Sequence, residues 1–448
     1  MNLKQIHIKK FRSIDNCTIE FDSNVKVLIG PNGSGKTNLL LALRFLSSCI
    51  NHSPIRAIQQ AGGLDKVFTI RERRAKELVF QVVIKVFKEQ KTSSVSKSAE
   101  DYLGDANYSF SLQFEENSSI LIVRKEELFF IPNGSESKTE IFNRKSDTKK
   151  TRIDTEIKRL DFDTDNNFGS VASVNELAIG RIFTILDRIR FYSDVKIQGK
   201  IDDTYRLNLT ILRQVLFEIS SINGFNFDPS ELRKSSDLLS AESISYTGRG
   251  FASLLQRLMN EKYIYRPRYG KTYRRSWQND FFPKFSDIYQ EILPFLSNVT
   301  PSENIDTTTV ELKFKEVQQL NSQKSFGTVH LSDGSLKFLA IVTSILIQNY
   351  SLLFIEELEN YLNPNAIKRL LQLMKDTSEY NGCNFLITSH SETVLNAVSP
   401  EDVLVSRRHI GGATVYEKFI SLDNIKKAVD DGGFGLGYLW GRGGLDGF

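Results

Sequence analysis

Residues 30–38, GPNGSGKTN, organise most of what the sequence predicts about this chain. They begin where the apolar run VKVLIG, residues 25–30, ends. They lead into residues 36–49, where leucines recur at helical spacing. A glycine-rich loop between a strand and a helix, in the pattern G-x-x-x-x-G-K-S/T, wraps phosphates with backbone N–H groups. The lysine adds a positive charge, and the threonine hydroxyl can ligate Mg²⁺. We therefore expect a nucleotide to contact Asn32, Gly33, Ser34, Gly35, Lys36, Thr37 and Asn38, with Thr37 also on Mg²⁺.

The composition is that of a globular protein and indicates no particular partner. Of the 448 residues, 40% are hydrophobic and 25% are charged, close to the usual averages. The net charge of +4 is small for this length, so it neither requires nor excludes a nucleic-acid partner. Cys17, Cys49 and Cys383 lie far apart and lack metal-binding spacing, which is typical of a reduced, cytoplasmic protein.

The sequence indicates neither a signal peptide nor a membrane span. Its first residues, MNLKQIHIKKF, alternate polar and apolar types and lack a continuous apolar run. The most apolar segment, residues 336–355, is interrupted by Lys337, Gln348 and Asn349. We expect a buried helix followed by a buried strand in this segment.

The spacing of apolar residues predicts an α/β fold, in which helices flank a mixed β-sheet. Residues 2–9 alternate as an edge-type strand would, and a polar segment after residue 132 predicts a solvated hairpin or a mobile segment. We expect five parts: 1–75, the first part of a nucleotide-binding head; 76–132, its antiparallel β part; 133–309, a largely helical inserted lobe; 310–410, the second part of the head; and 411–448, a glycine-rich docking tail.

Two carboxylates end the apolar strand in LLFIEELENYLNP. Glu356 and Glu357 are costly to bring together without a cation, which favours a metal site over a strand followed by an acidic helix cap. In a phosphate-loop enzyme, the first carboxylate stands near Mg²⁺ and the second can polarise the attacking water. We expect Glu356 to be a metal ligand and Glu357 to be catalytic.

Two further motifs are candidates for phosphate contacts. The strand FLITSHSE ends at His390, which could reach a γ-phosphate as a hydrogen-bonding group. In HLSDGSLKFLA, the residues Ser332, Gly334 and Ser335 open a helix whose unpaired N–H groups suit an anion. The alternative for this motif is an ordinary serine N-cap with a turn.

Five motifs in this order resemble the ABC-type ATPases of the SMC/RecF/OLD class: FRSI, GPNGSGKT, LSDGS, FIEELENYLNP and ITSH. The resemblance covers roughly residues 1–75 and 310–410. It implies a P-loop ATPase head with a Walker A loop, a signature motif, a Walker B strand, a D-loop and a switch histidine. It also implies that the signature helix of one subunit caps the ATP of another, so that ATP and Mg²⁺ hold together a homo-oligomer, at least a dimer.

Three positions depart from the family pattern. Glu356 replaces the more usual Asp, although OLD-like members often have this pair of glutamates. Leu358 stands where Pro is frequent, and Asn363 where His or Asp is frequent. Slow hydrolysis, with ATP acting more as a structural switch, is consistent with these departures.

Residues 261–277, EKYIYRPRYGKTYRRSW, interleave basic and aromatic residues in a predicted loop. Three interpretations stay open: contacts with DNA or RNA, docking onto an acidic protein, or a solvated loop. The basic residues are Lys262, Arg266, Arg268, Lys271, Arg274 and Arg275. The glycine-rich tail carries Phe434, Leu439, Trp440 and Leu445, so we expect it to order by docking on its own core or on a partner.

The resemblance favours a sensor or scaffold in anti-phage defence, similar to the stand-alone OLD-class ATPases of systems such as PARIS or Septu. Its effector would be a separate nuclease or toxin, because the 58 residues after His390 are too few for a nuclease domain of the OLD type. The alternative is a RecF-like DNA-repair ATPase that clamps DNA directly. An ABC transporter subunit fits less well, because the long insertion and the FRSI segment differ from its compact form.

Overall fold

A mixed β-sheet of 13 strands runs through the computed structural model of the chain. The structure describes residues 2–68, 77–88, 101–115, 120–146, 153–156, 203–237, 244–260, 263–268, 271–276, 281–317, 325–347, 350–419, 422–432 and 435–442.

The strands are, in chain order, β1 (Leu3–Phe11), β2 (Ile14–Glu20), β3 (Val25–Ile29), β4 (Glu77–Phe87), β5 (Tyr102–Glu115), β6 (Ile120–Pro132), β7 (Thr139–Ser146), β8 (Ile153–Glu156), β9 (Ile222–Phe225), β10 (Ser236–Asp237), β11 (Tyr263–Arg268), β12 (Lys271–Ser276), β13 (Leu296–Asn304), β14 (Thr309–Glu316), β15 (Phe326–Gly327), β16 (Leu352–Ile355), β17 (Asn384–Thr388), β18 (Val403–Arg408) and β19 (Thr414–Glu417). The α-helices are α1 (Lys36–Asn51), α2 (Pro54–Gln60), α3 (Asp203–Ser220), α4 (Pro229–Leu232), α5 (Phe251–Asn260), α6 (Phe281–Ile292), α7 (Asp333–Ile347), α8 (Pro364–Asn381), α9 (Glu392–Leu395), α10 (Leu422–Gly432) and α11 (Leu436–Gly441). Short 3₁₀ helices span Leu64–Lys66, Thr328–His330 and Pro400–Asp402.

Five neighbouring strands of the large sheet run parallel, in the order β18, β3, β17, β16, β9. Strands β3, β16 and β17 are buried along their whole lengths, as expected for apolar runs covered on both faces. Val25, Val27 and Ile29 belong to one hydrophobic core and Leu28 to the other. Helices α7 and α8 cover the first face, and α1 and α3 cover the second. The predicted α/β fold, a mixed sheet flanked by helices, is confirmed.

The other half of the sheet is antiparallel. Strand β1 is hydrogen-bonded to β2 on one side and to β4 on the other, and β4 to β8 continue as a meander. The expectation that residues 2–9 form an edge strand is therefore wrong. Their alternation reflects one buried and one more accessible face of an internal strand. The hairpin expected after residue 132 is present as β7 and β8.

Residues 133–309 are less uniformly helical than the sequence indicates. Their described parts contain α3 to α6, but also the strand β9, which pairs in parallel with β16 as the last strand of the large sheet. Strands β10, β14 and β13 form a second sheet, and β15 pairs with β14. The sequence INGF of β9 is too short for periodicity to distinguish a strand from a helical turn. The division of the chain into five parts stays a prediction.

The carboxyl-terminal tail docks on its own chain. Helix α11 lies so close to α9 that a Cβ on Gly437 would come within 2.5 Å of Glu392 Cα. The backbone N–H of Gly437 donates to Asn396 Oδ1 (2.7 Å), and Leu439 and Trp440 pack against the core. Docking on its own core is thus the alternative that the structure supports. Phe434 and Leu445 lie outside the described residues.

None of the helices described is both long and apolar enough to cross a bilayer. The buried helix and strand expected between residues 336 and 355 are α7 and β16.

Candidate nucleotide-binding site

Three parallel neighbours, β3, β17 and β16, end at the same edge of the large sheet, and each is followed by one of the predicted motifs. Crevices at the carboxyl ends of parallel strands are the usual ligand sites of such sheets. The loop of residues 30–35 follows β3, Glu356 and Glu357 follow β16, and His390 comes two residues after β17. The topology therefore gathers motifs that are more than 300 residues apart in the chain.

The loop after β3 requires glycine at two positions. Gly30 has a φ of 148°, and a Cβ there would lie 2.4 Å from the Ser406 carbonyl oxygen. Gly35 caps α1 with a φ of 106°, and its Cβ would lie 2.4 Å from Thr414 Oγ1. Because strands β18 and β19 press against the loop, these two glycines shape it as well as leaving room for phosphates.

A network of hydroxyl groups fixes the loop to its neighbours. Ser34 Oγ lies 2.5 Å from Ser406 Oγ, and the Ser406 hydroxyl donates to Ile29 O at 3.1 Å. The Tyr416 hydroxyl donates to Gly35 O at 2.8 Å. These bonds hold the backbone of the loop in place from the side of β18 and β19.

The FRSI segment, residues 11–14, is linked to the first turn of α1. Asn38 Nδ2 donates to Ser13 Oγ (2.7 Å), and Ser13 Oγ lies 2.7 Å from Thr414 Oγ1. Arg12 has a positive φ of 51° and donates its N–H to Val67 O at 2.9 Å. The side chain of Asn38 thus helps to support the loop in this structure, whereas the sequence predicts that Asn38 contacts the nucleotide.

Lys36 points back over the loop and lies in the field of three carboxylates. Its Nζ donates to Gly30 O (2.8 Å) and Pro31 O (3.2 Å). Burial lowers the pKa of Lys36, and the charges of Glu357, Glu359 and Glu356 partly offset this effect. The amine is therefore placed where it can exchange loop carbonyls for phosphate oxygens.

Glu356 is buried and held by two residues of the insertion. Asn226 Nδ2 donates to Glu356 Oε2 at 3.0 Å, and the Tyr246 hydroxyl donates to the same oxygen. Burial and the neighbouring Glu356 carboxylate raise the pKa of Tyr246 well above its ordinary value, so the phenol keeps its proton. The guanidinium of Arg44 covers the Tyr246 ring at 4.8 Å from its centre. Glu356 therefore has one oxygen occupied by fixed donors.

Glu357 is exposed and has a left-handed backbone, with a φ of 47°. Such a conformation costs a residue other than glycine about 1–3 kcal/mol. The Glu357 N–H donates to Thr388 Oγ1 (2.9 Å), and Asn360 Nδ2 donates to Glu357 Oε2 (2.5 Å). These bonds aim the carboxylate and stabilise the strained turn.

Glu359 and His390 meet at the same edge. The backbone N–H of His390 donates to Glu359 Oε1 at 2.6 Å. Burial, and next the charge of Lys36, lower the pKa of the His390 imidazole, with Glu359 and Glu357 acting in the opposite direction. The lowered pKa favours the neutral ring, which can both donate and accept a hydrogen bond.

The turn of residues 331–335, LSDGS, which the resemblance implies to be the signature motif and which is called the signature turn below, is held from two sides. Ser332 Oγ accepts the N–H of Ser335 (3.1 Å) and lies 2.8 Å from Ser335 Oγ, so Ser332 does act as an N-cap of α7. Arg233 of the insertion pairs with Asp333 Oδ1 (2.5 Å) and donates to Leu331 O (2.8 Å). The N-cap does not exclude a phosphate contact, because a helix start has several unpaired N–H groups.

The residues at this edge fit a Mg²⁺-nucleotide. The described residues contain no cluster of three or more His, Cys, Asp or Glu side chains that could hold a metal ion. Mg²⁺ commonly takes one or two protein oxygens together with phosphate and water, so the two expected ligands, Thr37 and Glu356, would be enough in number. Gly33 has a φ of 77°, with no heavy atom within 4 Å of its Cβ position, which leaves open space beside the loop. Glu359 Oε2 is buried without a hydrogen-bond partner.

Two of the three departures from the family pattern, Leu358 and Asn363, have local explanations. Leu358 is fully buried in the first core, so a side chain that packs replaces the ring of proline. Asn363 caps α8, accepting the N–H of Ala366 at 2.9 Å.

Sequence reasoning missed several residues that support the site. Asn226 follows β9, so the rule that site residues follow parallel strands would have found it, had β9 been recognised. Lys337 carries a signal in the sequence, because a lysine inside an apolar helix needs a partner when it is buried. The missed residues are Ser13, Asn226, Tyr246, Lys337, Asn360, Ser406, Thr414 and Tyr416.

The basic-aromatic segment is a hairpin of β11 and β12 rather than a loop. Lys262 and Trp277 lie outside the described residues, and so do the side chains of residues 263–268 and 271–276. The three interpretations of this segment stay open.

A known family matches most of the chain. The family described as "AAA domain, putative AbiEii toxin, Type IV TA system" matches residues 25–396.

Short segments also match DNA replication and repair proteins RecF. The protein of Psychromonas ingrahamii is 48% identical over 46 residues, 10% of this chain and 13% of that protein. The protein of Porphyromonas gingivalis is 48% identical over 52 residues, 12% of this chain and 14% of that protein. The protein of Lactococcus lactis subsp. cremoris is 40% identical over 52 residues, again 12% and 14%. The match spans about a seventh of the length of these relatives.

Solved structures that align with this chain include SMC heads. An SMC head bound to the C-winged helix domain of ScpA aligns over 93% of this chain and 97% of its own, with 13% identity and a TM-score of 0.49. The SMC head domain from Thermotoga maritima aligns over 93% and 99%, with 13% identity and a TM-score of 0.41.

Proposed function

The chain belongs to this AAA-domain family, and on that premise we propose that it binds ATP with Mg²⁺ and hydrolyses it slowly, as a homo-oligomer. The single observation that supports this most is the meeting of Lys36 with three carboxylates and His390 at the carboxyl ends of β3, β16 and β17. A purely structural glycine turn would not need a lysine in the field of Glu356, Glu357 and Glu359.

Each side chain has a role that follows from its position. The loop N–H groups from Asn32 to Asn38 and the amine of Lys36 bind phosphate. Thr37 and Glu356 would hold Mg²⁺, which when bound neutralises charge on the phosphates. Glu357, exposed and aimed by Asn360, accepts a proton from the attacking water. The neutral ring of His390 donates a hydrogen bond to the γ-phosphate.

The signature turn acts on a second copy of the chain in this proposal. Ser332, Gly334 and Ser335 would face the γ-phosphate bound by the partner's loop, so that ATP joins two protomers. Val329, just before the turn, is 79% exposed and Tyr361 is 61% exposed. Large apolar side chains exposed beside a polar motif are typical of a surface that is covered in an assembly.

The wider role that we propose is that of a sensor or scaffold in anti-phage defence, which controls a separate nuclease or toxin. The family description, which refers to a toxin-antitoxin system, supports a defence or toxin module. The oligomer that forms around ATP would carry the effector and release or activate it when a trigger changes the ATP state.

The test compares Lys36→Ala and Glu357→Gln with the parent protein. Lys36→Ala should weaken ATP binding roughly tenfold to hundredfold, because a charged phosphate contact is lost. Glu357→Gln should still bind ATP, slow hydrolysis roughly hundredfold or more, and accumulate the ATP-bound oligomer. The measurements are ATP binding by calorimetry, phosphate release, and mass in solution with and without ATP and Mg²⁺. Lys427→Ala, an exposed lysine on α10, is the control. If all variants bind and hydrolyse ATP like the parent, the site is assigned wrongly.

The alternative function is a DNA-repair ATPase that clamps DNA directly. The segments shared with RecF proteins favour it, as does the basic-aromatic hairpin. Co-purification with neighbouring gene products and DNA binding by the isolated protein distinguish the two. ATP-dependent oligomers that retain a nuclease or toxin favour the defence role, whereas ATP-dependent DNA binding without such a partner favours repair.

A further inference from the structure

We propose that Lys337 is a positioning residue for Glu357, through which the signature turn controls hydrolysis in its own protomer. This inference rests on the proposed function, because it assigns a role to Glu357 in ATP hydrolysis. Lys337 Nζ donates a 2.7 Å hydrogen bond to the backbone carbonyl oxygen of Glu357.

Packing does not explain the lysine. Lys337 is 1% exposed and lies in α7, whose residues from Ser335 to Ile347 are all buried. Burial lowers the pKa of Lys337 to about 8, although Glu359 and Glu357 oppose the shift. Burying an amine is costly unless it is bonded, and an apolar side chain would fill the same space without that cost. The hydrogen bond to the Glu357 carbonyl therefore offsets the burial of this amine, which also lies 6.0 Å from the centre of the Tyr361 ring.

The peptide groups of Glu357 are held on both sides. Its N–H donates to Thr388 Oγ1 at 2.9 Å, and its carbonyl oxygen accepts both Lys337 Nζ and the Asn360 N–H (3.1 Å). Because φ is 47°, the residue would relax towards a common conformation if these bonds were lost. Such a relaxation would swing the carboxylate away from its direction in this structure.

A second contact joins the same helix to the same loop. A Cβ on Gly334 would lie 2.2 Å from the carbonyl oxygen of Tyr361, another residue with positive φ (68°). Gly334 and Lys337 are three residues apart, so they lie on one side of α7. The beginning of α7 thus touches the loop after β16 near both of its left-handed residues.

The helix connects two events at different nucleotides. Its first turn carries Ser332 and Ser335, which the proposed function places on the γ-phosphate of the partner. A buried helix moves as a rigid body, so a shift of its first turn also moves Lys337 and the Glu357 carbonyl. Binding of ATP in the partner's site would in this way set the geometry of attack in the protomer's own site.

The test uses Lys337→Met, which keeps the length and apolar packing of the side chain and removes the donor. We expect kcat to fall roughly tenfold or more, because a misplaced catalytic group costs rate rather than binding. The KM and Kd for ATP should stay within about twofold of the parent values. Lys375→Met is the matched control, since Lys375 also donates from a helix to a backbone carbonyl, that of Ala397, away from the site.

A second variant covers the case in which Lys337→Met does not fold. Thr388→Val keeps the shape of the side chain and removes the acceptor of the Glu357 N–H. It should give the same loss of kcat with unchanged ATP affinity, and the double variant should lose less than the product of the two single losses. If neither variant lowers kcat, or if kcat, affinity and thermal stability all fall together, Lys337 is merely structural and the inference is wrong.

The parent protein separates this inference from the proposed function. If the parent neither binds nor hydrolyses ATP, the proposed function is wrong, and the role of Lys337 with it. If the parent hydrolyses ATP and Lys337→Met does so at the same rate, only the inference is wrong.

Discussion

Asn226, the first residue after β9, donates a hydrogen bond of 3.0 Å to Glu356, the first residue after β16. The two strands are neighbours in the sheet but are separated by more than 100 residues of sequence. The inserted lobe therefore contributes directly to the orientation of the carboxylate that we propose as a Mg²⁺ ligand. Tyr246 adds a second donor to the same oxygen.

Removing the Tyr246 hydroxyl tests this support of Glu356. Tyr246→Phe should raise the Mg²⁺ concentration needed for half-maximal hydrolysis roughly tenfold, because groups that orient a ligand contribute this much to metal affinity. The measurement is a titration of phosphate release with Mg²⁺ at saturating ATP. Tyr380→Phe, at a tyrosine that is 64% exposed, is the control. An unchanged Mg²⁺ dependence would show that Glu356 is not the metal ligand or that Tyr246 does not orient it.

Gly35→Ala tests the fit between the phosphate loop and β19. The substitution should weaken ATP binding roughly tenfold or more, because the new Cβ meets Thr414 Oγ1 at 2.4 Å and the φ of 106° is strained. Adding Thr414→Ala should restore only part of the affinity, since the contact is relieved and the backbone strain stays. Binding is followed by calorimetry. Gly411→Ala, where no heavy atom lies within 4 Å of the Cβ position, should bind ATP normally.

Lys337 should make stability depend on pH in the alkaline range. Its pKa is lowered from 10.5 to about 8 in the folded chain, so between these values the unfolded chain binds more protons. The free energy of unfolding of the parent, relative to that of Lys337→Met, should therefore rise between pH 8 and pH 10, by up to roughly 3 kcal/mol. It should become flat below about pH 7, where both states are protonated. Urea unfolding of both proteins at several pH values measures it, and a constant or falling difference would contradict the prediction.

The docking of the tail depends on the absence of a side chain at Gly437. Gly437→Val should release α11 from α9, because a Cβ would lie 2.5 Å from Glu392 Cα. We expect faster cleavage after residue 432 in limited proteolysis and a lower melting temperature. Gly327→Ala, which places its Cβ in open space, is the control. A tail that resists protease equally in both variants would indicate that its contacts with α9 are not what holds it.

The parts of the site that sequence reasoning could predict are those with a pattern of their own. The loop of residues 30–38 and the strand that ends in Glu356 each combine a periodicity with a particular chemistry, and the fold brings them together. Asn226, Tyr246 and Ser406 carry no such pattern, since an ordinary polar residue becomes a support only through its neighbours in space. Their positions depend on the order of the strands, which local periodicity does not encode.

The error about β1 has a related cause. Alternation along residues 2–9 reports which face of a strand is buried, whereas an edge is defined by missing partners in the plane of the sheet. Lys337 shows the converse. A lysine in an apolar helix is a signal that sequence can supply, because a buried amine needs a partner, and here that partner is the backbone carbonyl of Glu357.

Strand β9 has a practical consequence for anyone who trims this protein. A shortened version that joins the two halves of the head directly would remove the last strand of the sheet and leave β16 with a bare row of N–H and C=O groups. Unprotected strands of this kind recruit other chains and aggregate. A minimal head that remains in solution should therefore retain residues 222–226, fused so that they still run parallel to β16.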